Sequence, residues 1–99
     1  MCEFKIIKKN DDSQIGEDVI ILGYTEENEL VFKDILGMGI KLESALILEV
    51  NTISQRTVVL EHPIIRDFIG LMKNIIANSA TKLEVEHIQT QLEELKNSL

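Results

Sequence analysis

The chain of 99 residues offers few side chains that could do chemistry, and the first is Cys2, the single cysteine. A small residue after Met1 makes removal of Met1 a reasonable expectation, and Cys2 would then carry a thiol and a free α-amine. Thiolate sulfur and amine nitrogen on one residue close a five-membered chelate, and nearby backbone nitrogens can complete a square plane suited to Ni(II) or Cu(II). One sulfur per chain means that two sulfurs require two chains, so a two-fold dimer with adjacent first strands is the arrangement implied. Metal binding there must release protons and strengthen as pH rises. A second reading is also open: residue type alone favours Cys2 as a small buried hydrophobe on the face of Phe4 and Ile6.

Catalytic constellations are not evident. A nucleophile needs a base and an orienting group, and the chain has two histidines, His62 at a strand-to-helix junction and His87 on the polar side of the last helix. Gly37 and Gly39 read as a tight turn, and Glu26, Glu27 and Glu29 as a turn flanked by solvated charge. A non-enzymatic protein is the expectation. Nucleic acid is the alternative for a small β domain, with Lys5, Lys8 and Lys9 forming the one locally basic edge. Residues 1–61 nevertheless hold six cations against twelve carboxylates, and the whole chain stands at −7. Nucleic-acid binding draws on a basic footprint, so tight general RNA binding is disfavoured.

These groups have to be positioned by one domain, since the length falls within the usual single-domain range. Hydrophobic residues make up 44% and charged residues 27%, a balance that argues against disorder. A lone cysteine excludes an internal disulfide framework. Without an apolar run of about 18 residues, a membrane-spanning helix is not expected. Charge close to the start gives no secretory h-region, and a soluble cytoplasmic protein is the expectation.

Residues 1–61 show short Val- and Ile-rich runs separated by turn chemistry, the pattern of a small, mostly antiparallel β-barrel. About six strands are predicted: Glu3–Lys9, Asp18–Thr25, Glu29–Ile35, Gly39–Glu43, Ala45–Val50 and Arg56–Glu61. Period-two alternation groups Phe4 with Ile6, Leu46 with Leu48 and Val50, and Val58 with Leu60 as core-facing sets. It leaves Ile7, Val31, Ile47 and Val59 on the outer face, which something must cover.

The cover predicted is residues 62–99, an extension of two α-helices, so the fold class expected is α+β. Pro63 suits the first helical position. Ile64, Ile65, Phe68, Ile69, Met72, Ile75 and Ile76 then recur at helical spacing as a broad apolar stripe, with Leu71 widening it. Asn78 and Ser79 break that helix, and Thr81 with Glu84 has capping-box spacing for the second. On the second helix Val85, Ile88, Leu92, Leu95 and Leu99 alternate at three and four residues. That seam is open to two readings, packing within the chain or pairing in a dimer, with the helices in cis or across partners.

The first 61 residues resemble the CooT-like family of small prokaryotic proteins, also labelled "predicted RNA-binding protein". The resemblance is carried by Met1-Cys2-x-x-Lys5, Glu17-Asp18-Val19, Val31-Phe32-Lys33-Asp34-Ile35-Leu36-Gly37 and Ile47-Leu48-Glu49-Val50. It implies an SH3-like β-barrel that forms a homodimer. In nickel-binding members the cysteine after the initiator Met is the ligand, one from each subunit, which here would be Cys2. The implied role is non-catalytic delivery of nickel to a metalloenzyme client, carbon monoxide dehydrogenase. The two helices of residues 62–99 depart from the compact family pattern.

Overall fold

A computed structural model describes residues 3–99. Seven strands precede two helices: β1 Phe4–Lys8, β2 Ser13–Val19, β3 Ile21–Tyr24, β4 Leu30–Lys33, β5 Gly39–Leu42, β6 Ala45–Asn51, β7 Arg56–Glu61, α1 Pro63–Ile76 and α2 Lys82–Ser98. The α+β class and the two C-terminal helices stand as the sequence predicts. The closed barrel does not. The strands form a four-stranded sheet in the order β2-β1-β7-β6 and a separate three-stranded sheet in the order β3-β4-β5.

The strand missed by pattern reading is β2. Asp11 and Asp12 make a tighter turn than expected, because the Asp11 carboxylate accepts from the Ser13 backbone N–H at 3.1 Å and Asp12 takes a positive φ of 58°. Ser13 is therefore free to begin a strand. The run expected over Asp18–Thr25 is divided at Ile20, next to Asp18 with its φ of 55°. The sheet is also not purely antiparallel, since β1 pairs parallel with β7, Lys5 opposite Arg56 and Ile7 opposite Val58.

Both sheets contribute to one core. Ile6, Val19, Ala45 and Val59 come from the larger sheet, Leu30 and Phe32 from the smaller. The faces of β6 and β7 are thus the reverse of the expectation: Val59 is fully buried, whereas Leu46, Leu48 and Val50 are 42–49% exposed. A bulge explains part of this. Ile47 pairs with Val59 and Glu49 with Val58, so Leu48 is the extra residue and strict alternation fails across it.

One glycine is obligatory. A Cβ at Gly39 would lie 1.6 Å from the Phe32 carbonyl oxygen, so the β4–β5 ladder closes only over a residue without a side chain. Gly37, at φ 81°, makes the turn before it, and the Asp34 carboxylate accepts from the N–H groups of Leu36 and Met38 at 2.9 and 3.0 Å.

The helices start where chemistry dictates. Pro63 follows the N-cap His62, whose Nδ1 accepts from the Ile64 N–H at 3.2 Å. Thr81 and Glu84 complete a reciprocal capping box on α2. No helix among the described residues is long and apolar enough to cross a membrane.

Candidate functional site

Cys2 lies outside the described residues. The strand that follows it in the sequence, β1, is the second of four in its sheet, with Phe4 opposite Val19 of β2 on one side and Lys5 opposite Arg56 of β7 on the other. The Lys5 N–H also donates to the Gln55 carbonyl at 2.9 Å, so pairing extends to the strand's beginning. Glu3 is exposed. Among the described residues, no three His, Cys, Asp or Glu side chains gather in a way that could hold a metal ion.

Lys5 and Lys8 lie on β1, and Lys9 in the turn that follows it. Lys8 reaches Glu61 at 4.0 Å and Lys9 reaches Asp12 at 3.7 Å, each cation meeting a carboxylate. Lys5 lies beside Arg56 in the parallel register and is exposed. The Glu26, Glu27 and Glu29 turn is likewise put to structural use: Glu29 pairs with Lys41 at 3.4 Å, and the Glu27 carbonyl accepts from Arg66 Nε at 2.9 Å.

Two histidines meet neighbours that give them structural work. Around His62, the Ser44 hydroxyl donates to the His62 carbonyl and accepts from the Arg66 N–H, while the His62 N–H donates to the Ser44 carbonyl at 3.1 Å. Ser44 Oγ is therefore engaged with backbone rather than with the imidazole, and the imidazole Nδ1 is engaged with Ile64. Serine and histidine here clamp the start of α1 to the β5–β6 turn. They wall one side of a hollow of about 480 Å³ with Asn10, Lys41 and Glu61.

On the hairpin of helices, His87 Nε2 lies 3.3 Å from Asp67 Oδ2, and Gln91 Nε2 donates to the same oxygen at 2.8 Å. Asn74 donates to Glu84 Oε2 at 2.7 Å. That amide, followed by the backbone N–H of Thr81, holds the Glu84 carboxyl below its ordinary value of 4.5. The bonds from Ser13, side chain first and backbone second, lower the Asp11 carboxyl in the same way. Partial burial moves Tyr24 in the opposite sense, raising its phenol above 10.0.

The predicted seam is divided by the structure. Ile88 is buried within the chain at 7% exposure, while Val85, Leu92 and Leu95 stay 37–51% exposed and Leu99 is almost wholly so. Ile88 and Leu92 line an apolar groove of about 390 Å³ together with Leu46, Ile64, Ile65, Phe68 and Ile69. The stripe of α1 therefore does not serve as a simple cover: Leu71 is its buried residue, and Phe68, part of the stripe expected to cover the sheet, is half exposed. Leu46 and Phe68 are the surface features that pattern reading assigned to the interior. The signal was available in the width of the stripe, since a helix resting on one surface needs only an arc of about 100°.

No family model matches the chain, and no curated protein matches it.

Proposed function

We propose that this chain is a non-catalytic binding protein that holds Ni(II) through Cys2 of two subunits and serves in metal delivery to a metalloenzyme client. The observation that carries the reading is the Met1-Cys2-x-x-Lys5 sequence leading into β1, a strand paired on both sides. Cys2 precedes Phe4, the first residue of β1, by two positions, and a two-fold dimer would supply one sulfur from each chain. The described residues bring no other metal cluster into competition, and donors besides the two sulfurs would come from amine or backbone nitrogen. Such nitrogen–sulfur sets favour planar coordination of Ni(II). An SH3-like kinship of the two open sheets belongs to the same proposal and rests on the resemblance. The nucleic-acid reading loses ground, because Lys8 and Lys9 both have carboxylate neighbours and the chain is acidic.

The test is a nickel titration followed by thiolate-to-metal charge-transfer absorption. The wild-type protein is expected to saturate at one Ni(II) per two chains, with tighter binding as pH rises. A Cys2→Ala variant that binds nickel as tightly as wild type would overturn the proposal.

A further inference from the structure

The polar side of α1 is turned toward its own chain, and the middle of its apolar stripe is turned away. Arg66 donates to the Glu27 carbonyl, Asp67 accepts from Gln91, and Asn74 donates to Glu84. Phe68, Met72 and Ile75 recur at i, i+4 and i+7, which places them along one line of the helix. All three are exposed, at 49%, 37% and 48%. The groove lined by Leu46 and Leu92 flanks that line, and Leu48 continues the exposed apolar surface along β6. A helix that commits Arg66, Asp67 and Asn74 to its own chain and leaves Phe68, Met72 and Ile75 exposed offers an apolar line to a partner.

The dimensions indicate how much is left uncovered. The chain exposes 6923 Å² of surface, whereas a compact monomer of 11.2 kDa exposes roughly 5,700 Å². Its radius of gyration is 15.4 Å, against about 13 Å for a globular chain of this length. The excess of roughly 1,200 Å² is enough for the ~800 Å² per partner that a stable interface covers.

Charge favours a second copy despite the net −7. The α2 positions flanking Leu92 and Leu95 on the heptad are Gln89, Gln91, Lys96 and Ser98, one cation and no carboxylate. The acids Glu86, Glu93 and Glu94 stand at other heptad positions. On its α2 side, two copies can therefore approach through this face without opposing carboxylates, Glu49 of β6 being the acid beside the exposed Leu48 and Val50, and so apolar a groove is characteristic of permanent homodimers rather than transient contacts.

We infer that the α1–α2 hairpin and β6 form a two-fold self-association surface centred on Phe68, pairing two hairpins as a four-helix layer. This association is independent of nickel. The experiment is sedimentation velocity on the full chain from 1 to 100 µM in the presence of a chelator. Wild type and Cys2→Ala are both expected at twice 11.2 kDa. Phe68→Glu combined with Leu92→Glu should weaken the dimer at least 100-fold, while Ile35→Glu, an exposed apolar residue elsewhere, should leave it unchanged. A wild-type monomer at 100 µM overturns the inference, as does a dimer that survives the double substitution. Should the double variant fail to fold, hydrogen exchange on wild type decides: protection of residues 64–76 must rise with protein concentration, and protection that does not change refutes the surface. Loss of the dimer in Cys2→Ala alone would refute this surface and leave the nickel reading standing.

Discussion

The Tyr24 hydroxyl donates to the carbonyl of Ala45 at 2.8 Å, tying β3 of the smaller sheet to the start of β6 in the larger. Ala45 is fully buried, so the two sheets meet there at the edge of their common core. Because the two sheets are separate, this bond holds together surfaces that no ladder joins. Tyr24→Phe keeps the ring and removes the bond, and it should cost about 1 kcal/mol in urea-induced unfolding. Alkali should act on the same point. The phenol is raised above its ordinary 10.0, so its contribution is complete below pH 10.0 and fades as pH climbs through the raised value. Tyr24→Phe should remove that part of the alkaline loss of stability.

Thr57 makes the opposite case. It is fully buried on β7, and its hydroxyl has no hydrogen-bond partner among the described residues. A buried hydroxyl without a partner costs about 1–3 kcal/mol. Thr57→Val keeps the shape and removes the polar atom, so the midpoint of thermal unfolding should rise or stay unchanged. A lowered midpoint would show that the hydroxyl is satisfied in solution.

Gly39 should tolerate no side chain. Alanine there would drive a Cβ into the Phe32 carbonyl, and the ladder between β4 and β5 would have to part. Gly39→Ala is expected to cost about 3 kcal/mol or more, measured by urea unfolding. Gly23, with open space around its Cβ position, is the matched control and should be far less affected.

The cap of α2 should titrate in acid. The Glu84 carboxyl lies below 4.5, so its contribution is whole above that pH and is lost as pH falls through the lowered folded value. Asn74→Ala removes the largest cause of the lowering, and a carboxyl-carbon NMR titration should then show Glu84 moving back toward 4.5. Thr81→Ala removes the acceptor for the Glu84 N–H and should cost about 1 kcal/mol.

Local chemistry made part of this structure legible in the sequence. Pro63 and the Thr81–Glu84 box announced both helices, because caps act over three or four residues. The topology was not legible: the parallel pairing of Lys5 with Arg56 spans fifty-one positions and leaves no local mark. Alternation misjudged β6 and β7, since an equally apolar strand reads the same from either face and the Leu48 bulge shifts the count. Phe68 was read as part of a covering stripe for a related reason. Periodicity finds an apolar stripe but not what covers it, whether the same chain or a neighbour. The Cys2 reading came from residue type and resemblance, and Cys2 lies outside the described residues.

The most direct test of the account is native mass spectrometry of the nickel-loaded protein beside its Cys2→Ala variant. The expected species is two chains with one Ni(II), reduced in the variant to two chains without metal. Nickel bound to a single chain, or retained by the alanine variant at the same stoichiometry, would contradict a thiolate site shared between subunits.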